Sequence, residues 1–233
     1  NGRRIQWIPP KNNKNFRIAV VTKAPVTAVV KGGGSASLNS LLEKEPTERF
    51  IELSYEAYDE QMKKDMGEDV FPVVINDEPS LAAFKTFYPK VPWTDEFLNE
   101  FRERRGYDLQ PYLAALILTE ESDMGKKIRH DYWLTVSDLI TGNFFSPLHK
   151  WCAEYNKSFC FQPLLEESLL DLTAGYGDYF RCFQYIDVPS IDILTSLPEV
   201  SGRVWGDQQP MEVPWIPAAI AGSYTDLYQR EMA

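Results

Sequence analysis

The sequence predicts an α/β fold built on parallel strands. Short apolar and β-branched runs alternate with amphipathic helical segments over most of the chain, as in successive βαβ units. Two of these runs, which begin at Val73 and Ser158, end in adjacent acids. Because α/β proteins build their sites at the carboxyl ends of parallel strands, the same pattern predicts where a site lies.

The composition restricts the classes of partner. The chain has 233 residues, 44% of them apolar, which is enough for one large domain or two small ones with a substantial core. A net charge of −10 argues against nucleic acid or an anionic membrane as partner, since both require a basic surface. No apolar run reaches the length of a membrane span. The chain opens at Asn1 with no visible signal peptide, so we expect a processed, trimmed or fragmentary chain.

The cysteine pattern argues against a zinc site. Cys152, Cys160 and Cys182 form no C-x-x-C motif, and the histidines are His130 and His149. We therefore expect no metal centre of this type, and buried structural thiols at Cys152 and Cys160. A Cys–His nucleophilic pair stays open as the alternative, although no recognisable local signature supports it.

The amino-terminal region is basic and punctuated by prolines. Two strand-like runs are predicted there, at Phe16–Thr22 and Val26–Lys31. The second run leads into Gly32–Ser35, a glycine-rich loop without the spacing of either common phosphate-binding motif. We interpret it as a loop where the backbone bends or approaches a ligand closely, with phosphate binding as the alternative.

Four helices follow from the periodicity and the capping residues, at Pro46–Met66, Thr94–Arg105 and Lys126–Phe145, with a shorter one opened by Pro147. Gly67 and Gly106 are natural stops for the first two. One line of residues spaced four apart predicts the apolar face of the first helix: Phe50, Ser54, Tyr58, Met62 and Met66. Ile51 and Tyr55 lie next to this line and widen the face.

Further strands are predicted towards the carboxyl terminus. After the strand at Ser158–Leu165 and another helical segment, Ile191–Leu194 reads as a short buried strand. One more is suggested at Arg203–Gly206, but too few residues separate it from Leu194 for a parallel crossover.

The acids at the strand ends are the best candidates for chemistry. Pro79 stops the first strand directly after Asp77 and Glu78, and Glu166 follows the second. If both strand ends lie on one face, Glu78 and Glu166 meet across a pocket, and paired carboxyl groups are typical of general acid–base catalysis. The alternative is that Asp77 or Glu78 only caps a turn.

Several segments together resemble the large bacterial glycoside hydrolases of the α-L-rhamnosidase-like group. They span residues 30–195 in the order that the family shows, which is more specific than any single motif. The matching segments are Gly32–Leu38, Glu48–Leu53, Tyr55–Tyr58, Asn76–Ser80, Pro92–Thr94, Arg104–Leu109, Pro111–Leu113, Trp151–Cys152, Glu166–Leu169, Gly177–Asp178 and Val188–Asp192.

The resemblance implies a (β/α)8 TIM-barrel-like catalytic region, here incomplete or shortened. Residues 31–233 would form that region, and residues 1–30 would be a strand-rich segment left from a preceding one. The chain departs from the family where Phe161 and Gln162 stand in place of Gly-His and Ser190 in place of a glycine. An expected carboxyl-terminal Ser-Glu is missing, and Asp207 is the nearest candidate.

The resemblance also implies roles for individual residues. Glu78 is expected to be the general acid, with Asp77 raising its pKa by like-charge repulsion. Glu166 is expected to be the second carboxylate, and Asp207 is the second choice for that role. The expected substrate-binding residues are one acid, one amide and two aromatic platforms: Asp77, Gln162, Trp93 and Trp151.

The expected partner is an oligosaccharide or other glycoside, with neither nucleic acid nor membrane, and no cofactor apart from calcium by family resemblance. The family also implies a periplasmic or secreted location. The alternatives left open are a catalytically inactive carbohydrate-binding relative, which the replaced histidine and the missing glutamate favour, and one piece of a larger glycosidase.

Overall fold

The structure is a computed structural model, and it describes most of the chain between Val20 and Tyr228. The described residues are 20–23, 27–30, 34–37, 39–67, 72–81, 91–118, 121–164, 166, 168–191 and 216–228. The strand predicted at Arg203–Gly206 and the candidate acid Asp207 lie outside them.

Helices make up most of the described structure. They are α1 (Lys44–Phe50), α2 (Ala57–Met66), α3 (Phe97–Arg105), α4 (Leu113–Ile117), α5 (Asp123–Ile140), α6 (Ser146–Glu154), α7 (Leu169–Tyr176), α8 (Tyr179–Cys182) and α9 (Ile216–Tyr228). A π-helical segment, Ile51–Glu56, joins α1 to α2, and another, Thr141–Phe145, joins α5 to α6. Short 3-10 turns occur at Gln110–Tyr112 and Phe183–Tyr185.

The strands of the described residues form two separate sheets. A two-stranded antiparallel hairpin pairs β1 (Thr27–Val30) with β2 (Gly34–Ser37). A three-stranded sheet pairs β3 (Val73–Asp77), β4 (Ser158–Gln162) and β5 (Val188–Pro189) in that order, all parallel. The predicted parallel α/β arrangement is therefore confirmed for these strands, whereas a closed eight-stranded barrel is not shown by the described residues.

The parallel sheet has one face against helices and one open face. Val74 and Asn76 of β3 are buried, and Phe159 and Phe161 are their partners on β4. Phe145, at the junction of α5 and α6, packs against both phenylalanines with ring centroids 6.5 and 4.8 Å away. On the opposite face, Val73 and Ile75 are 42% and 56% exposed. The core therefore lies on the helical side of the sheet.

The helix predicted at Pro46–Met66 is present as α1, the π-helical segment and α2, and it ends at Gly67 with φ 93°. Two residues of its predicted face, Ile51 and Tyr55, are buried, whereas the predicted line through Tyr58 and Met66 is not. Tyr58 and Met66 are 64% and 63% exposed, and the buried line comprises Thr47, Ile51, Tyr55 and Asp59. The pattern of apolar residues could not predict that Asp59 is buried, because its ion-pair partner Lys157 is distant in sequence.

The next predicted helix begins later than expected. Thr94 precedes α3 in a turn, where its Oγ1 accepts a hydrogen bond from the Glu96 amide and its carbonyl accepts one from Phe97. Gly106 ends α3 in the left-handed region with φ 79°, as predicted. Thr94 therefore lies two residues before Glu96, the capping position of α3, and stabilises the turn that leads into the helix.

The predicted helix at Lys126–Phe145 continues without a break into the one at Pro147. Ser122 caps α5, because its hydroxyl accepts a hydrogen bond from Gly125 N–H at 3.1 Å. Tyr132, Val136, Leu139 and Ile140 are buried, as the periodicity predicts. This long helical unit contributes much of the core that supports β4.

Two strand predictions need correction. Val20–Thr22 is not a strand, and Val20 and Val21 are exposed, because an apolar run forms a strand only where it finds a partner strand. The last strand is β5 at Val188–Pro189, and Ile191 lies beyond it. Residues 16–19 and 192–194 are outside the described part of the chain.

Candidate active site

The carboxyl ends of β3 and β4 lie side by side. Asp77 and Gln162 are paired residues in the parallel register, and the Glu78 N–H donates a hydrogen bond to the Gln162 carbonyl at 3.0 Å. Because paired residues of parallel strands point to the same face, Asp77 and Gln162 are neighbours on the open face of the sheet. Two of the predicted substrate-binding residues are thus adjacent.

Glu78 occupies an unusual backbone conformation. Its φ is 55°, in the left-handed region that non-glycine residues rarely adopt. The chain therefore bends sharply at the first residue after β3, and Pro79 prevents the strand from continuing. Backbone strain of this kind costs on the order of 1–3 kcal/mol and occurs most often at functional sites.

Glu166 follows β4 and is only 3% exposed. A buried carboxyl group requires polar or charged neighbours to compensate for lost hydration. The charge of Glu166 is felt by two buried tyrosines, since it contributes to raising the pKa of both Tyr176 and Tyr179, after the larger effect of burial.

Tyr176, the last residue of α7, lies beside the segments that carry the two acids. Its side chain is fully buried, and its hydroxyl accepts a hydrogen bond from the Leu164 N–H at 2.7 Å. Burial raises its pKa most, and the negative charges of Glu166 and Glu78 raise it further. The Leu81 N–H, three residues after Glu78, donates a hydrogen bond to the Gly175 carbonyl at 3.0 Å. The segments that follow β3 and β4 therefore both contact the carboxyl-terminal turn of α7.

The two aromatic residues predicted as sugar platforms have different surroundings. Trp93 is partly buried and stacks on Phe97 with ring centroids 4.8 Å apart. Trp151 is buried within the core, stacked on Tyr155 at 4.5 Å and tilted against Tyr55 at 5.1 Å. These ring contacts are the ordinary packing of core aromatic residues, and Trp93 keeps more exposed surface than Trp151.

Two further polar residues, Tyr107 and Asp187, make structural hydrogen bonds. The Tyr107 hydroxyl donates a hydrogen bond to Asp131 at 2.8 Å. Asp187 accepts a hydrogen bond from the Phe159 N–H at 2.9 Å through its side chain, which ties the start of β5 to β4. Asp207, the second choice for a carboxylate, lies outside the described residues.

The cysteines are free and buried, as expected for Cys152 and Cys160. Burial raises the pKa of Cys152 and of Cys182 to about 12. A thiol that keeps its proton is a poor nucleophile, so the geometry gives no support to the alternative of a Cys–His pair.

Among the described residues, no group of three or more His, Cys, Asp or Glu side chains is arranged to hold a metal ion, so no calcium ligands are assigned there. Within that part of the chain, no helix has the length and hydropathy needed to cross a membrane.

A concave region lies between α5 and α7–α8. This α5–α7 groove is mainly apolar, and its lining includes neither Glu78 nor Glu166. Residues that line it include Trp133, Leu134, Leu169, Leu172 and Phe180. Its position on the helices separates it from the strand ends.

Sequence reasoning missed Tyr176 and Ser80. The Ser80 side chain lies within hydrogen-bonding reach of the Tyr176 hydroxyl and partly offsets the rise in its pKa. A signal for Tyr176 was present, because it follows the buried Leu172 by four residues on α7 and so shares its face. Ser80 has no comparable pattern, since it lies in a loop.

Comparison with known proteins gives a family and a fold. Residues 28–193 match the model of glycoside hydrolase family 106, described as alpha-L-rhamnosidase. No curated protein matches the chain. A solved structure, that of a rhamnosidase from Novosphingobium sp. PP1Y, matches with a TM-score of 0.50 at 18% identity. The match covers 70% of this chain and 15% of the rhamnosidase chain, so this chain spans a small share of that protein.

Proposed function

We propose, since the chain belongs to glycoside hydrolase family 106, that its strand-end carboxyl groups serve the hydrolysis of α-L-rhamnosides. The observation that supports the proposal is that Glu78 and Glu166 follow paired parallel strands and that the segments carrying them both hydrogen-bond to the end of α7. Glycoside hydrolysis generally uses two carboxyl groups on either side of the scissile bond, and two acids that follow neighbouring parallel strands suit that arrangement.

Glu78 is the proposed general acid, which protonates the leaving-group oxygen. Glu166 is the proposed second carboxyl group, which acts as nucleophile or activates the attacking water. Asp207 remains the second choice for that role. The separation of the two carboxyl groups selects between retention and inversion of the anomeric configuration.

The neighbouring residues would hold the sugar. Asp77 and Gln162, adjacent on the open face of the sheet, are proposed to hydrogen-bond sugar hydroxyls. Trp93 keeps part of its surface exposed and is the stronger of the two proposed platforms, since Trp151 is enclosed by other aromatic rings. Aromatic faces pack well on the C–H faces of pyranose rings.

We also propose that β3, β4 and β5 are part of the (β/α)8 barrel that the family resemblance implies. Their parallel order supports it, as does the burial of one face by helices. In a barrel of this type the open face, with the exposed Val73 and Ile75, would face the barrel interior.

The test is hydrolysis and binding of an aryl α-L-rhamnoside by the chain and by Glu78→Gln and Glu166→Gln. We expect each substitution to lower kcat by at least about 100-fold, because each removes a carboxyl group that acts in the transition state, while KM changes less. Glu103→Gln is the matched control, since Glu103 is an exposed glutamate on α3.

Binding is measured alongside turnover by titration calorimetry. Turnover that survives in Glu78→Gln would refute the role given to that residue. Rhamnoside binding without turnover in the unsubstituted chain would favour an inactive carbohydrate-binding relative. If the folded chain neither binds nor hydrolyses the rhamnoside, the result would count against a rhamnoside site in this chain.

A further inference from the structure

The Tyr176 hydroxyl lies where two loops of the candidate site meet. The first, the β3 loop, is residues 78–81 and carries Glu78. The second, the β4 loop, follows Gln162 and carries Glu166. The helix that holds Tyr176, α7, comes directly after the β4 loop in the chain.

Hydrogen bonds join both loops to the carboxyl-terminal turn of α7. The Leu164 N–H of the β4 loop donates to the Tyr176 hydroxyl at 2.7 Å. The Leu81 N–H of the β3 loop donates to the Gly175 carbonyl at 3.0 Å, and Ser80 of the same loop lies within hydrogen-bonding reach of the Tyr176 hydroxyl. One turn of one helix therefore sets the relative position of the two loops.

A tyrosine suits this position because it is neutral. Burial raises the pKa of Tyr176 well above its usual value, so its hydroxyl keeps its proton at physiological pH. A lysine or arginine has no acceptor for the Leu164 N–H, and its positive charge would favour the ionised form of both acids. A general acid must instead hold its proton until it reacts.

We propose that Tyr176 is the positioning residue of the carboxyl pair, whose hydroxyl holds the β3 and β4 loops so that Glu78 and Glu166 face each other at a fixed separation. This inference rests on the proposed function, because it takes these two acids as the reacting pair. The ring of Tyr176 also packs in the core, with the Phe161 ring at 5.6 Å and the Tyr179 ring at 5.0 Å. Its structural role and its positioning role therefore belong to different atoms.

Tyr176→Phe separates the two roles, since it keeps the ring and removes the hydroxyl. The experiment follows the carboxyl carbons of Glu78 and Glu166 by NMR while the pH is varied, in the unsubstituted chain and in the variant. We expect the titration midpoints of both carboxyl groups to move by about half a pH unit or more, because the loops that carry them lose the hydroxyl that fixes their separation.

Tyr224→Phe is the matched control. Tyr224 is also fully buried, and its hydroxyl donates a hydrogen bond to a backbone carbonyl, that of Ile186, away from the two acids. The control loses a comparable hydrogen bond and should leave both midpoints unchanged. Unmoved midpoints in Tyr176→Phe, or equal movement in both variants, would overturn the proposal.

Ser80→Ala provides a second variant in case Tyr176→Phe does not fold. It removes a hydroxyl from the other side of the same junction, and we expect it to move the midpoint of Glu78 more than that of Glu166. An unmoved Glu78 midpoint there would also overturn the proposal. These titrations need no substrate. Coupled midpoints in a chain that neither binds nor hydrolyses rhamnosides would therefore refute the proposed function and not the coupling.

Discussion

At the scale of single residues, a buried ion pair anchors the start of β4. Lys157 immediately precedes that strand, and its amino group lies 2.8 Å from Asp59 of α2. Both side chains are 4% exposed. Lys63 contacts the other oxygen of Asp59 at 2.8 Å from a more exposed position. Burial alone would raise the pKa of Asp59, but the two lysines outweigh it and hold that pKa below its usual value.

Asp59→Asn should therefore destabilise the protein by about 3 kcal/mol, because it leaves the ammonium group of Lys157 buried without a counter-charge. Urea unfolding at neutral pH measures the loss. Lys63→Gln is the control, and it should cost less than about 1 kcal/mol, since that lysine is largely accessible to water. Equal losses in both variants would show that the buried pair has no special importance.

The candidate site could be predicted from the sequence only where a residue's role follows from its place on an element. Glu78 and Glu166 are candidates because each follows an apolar run, and strand ends of parallel sheets converge. Tyr176 was missed because the segments that contact the end of α7, at Leu81 and Leu164, are distant from it or irregular in the sequence. The ion pair of Asp59 with Lys157 was missed for the same reason.

At the scale of elements, the junction of α7 and α8 depends on the absence of a side chain at Gly177. Its φ is +69°, and a Cβ placed there would lie 2.4 Å from Ser137 Oγ and 2.9 Å from Ser137 Cα. The Asp178 N–H donates a hydrogen bond to Ser137 Oγ at 2.7 Å, which ties the junction to α5. A Cβ at this position would therefore push against α5 itself.

Gly177→Ala should lower the free energy of unfolding by about 3 kcal/mol, from backbone strain and overpacking together. Chemical denaturation of the variant measures this. Gly106→Ala is a matched control, because Gly106 also has positive φ, +79°, but no atom within 4 Å of the added Cβ. We expect the control to lose only about 1 kcal/mol, the strain alone. If both variants lose the same amount, the close approach to Ser137 does not matter.

Sequence periodicity predicted the elements better than their faces. The helices at Pro46–Met66 and Lys126–Phe145 exist, yet the buried line of the first passes through Thr47 and Asp59, which an apolar count ignores. A polar residue contributes to a buried face only when a partner neutralises it, and that partner is set by tertiary structure.

At the scale of the whole molecule, the parallel order of β3, β4 and β5 follows from the alternation of strands and helices, whereas the number of strands in a sheet does not. Local patterns define βαβ units, but closure of a sheet depends on strand tilt and stagger along the whole chain. The sequence could therefore predict the parallel strands that the described residues contain, whereas closure of the sheet could not be predicted from local patterns.

The core also predicts how stability depends on pH. Burial raises the pKa of Cys152 and of Cys182 to about 12, whereas an unburied thiol has a pKa of 9.0. Buried tyrosines, including Tyr55 and Tyr132, have raised pKa values too. Above pH 9 the unfolded chain therefore binds fewer protons than the folded one, and stability falls as the pH rises.

We expect the stability to be fully present below about pH 9 and to be lost progressively above it, by about 1.4 kcal/mol per pH unit for each such group. Denaturation curves between pH 7 and pH 11 measure this slope. Cys182→Ser removes one titrating thiol, so it should reduce the loss of stability above pH 9 by about 1.4 kcal/mol per pH unit. A slope unchanged by Cys182→Ser would contradict the assignment.

We propose that the ends of β3 and β4 form one rhamnoside site around Glu78 and Glu166. An NMR titration of the labelled chain with methyl α-L-rhamnoside tests this proposal most directly, because it maps binding whether or not turnover occurs. We expect amide shift changes centred on Asp77, Glu78 and Gln162. Changes centred on the α5–α7 groove, at Leu169 and Phe180, would contradict it.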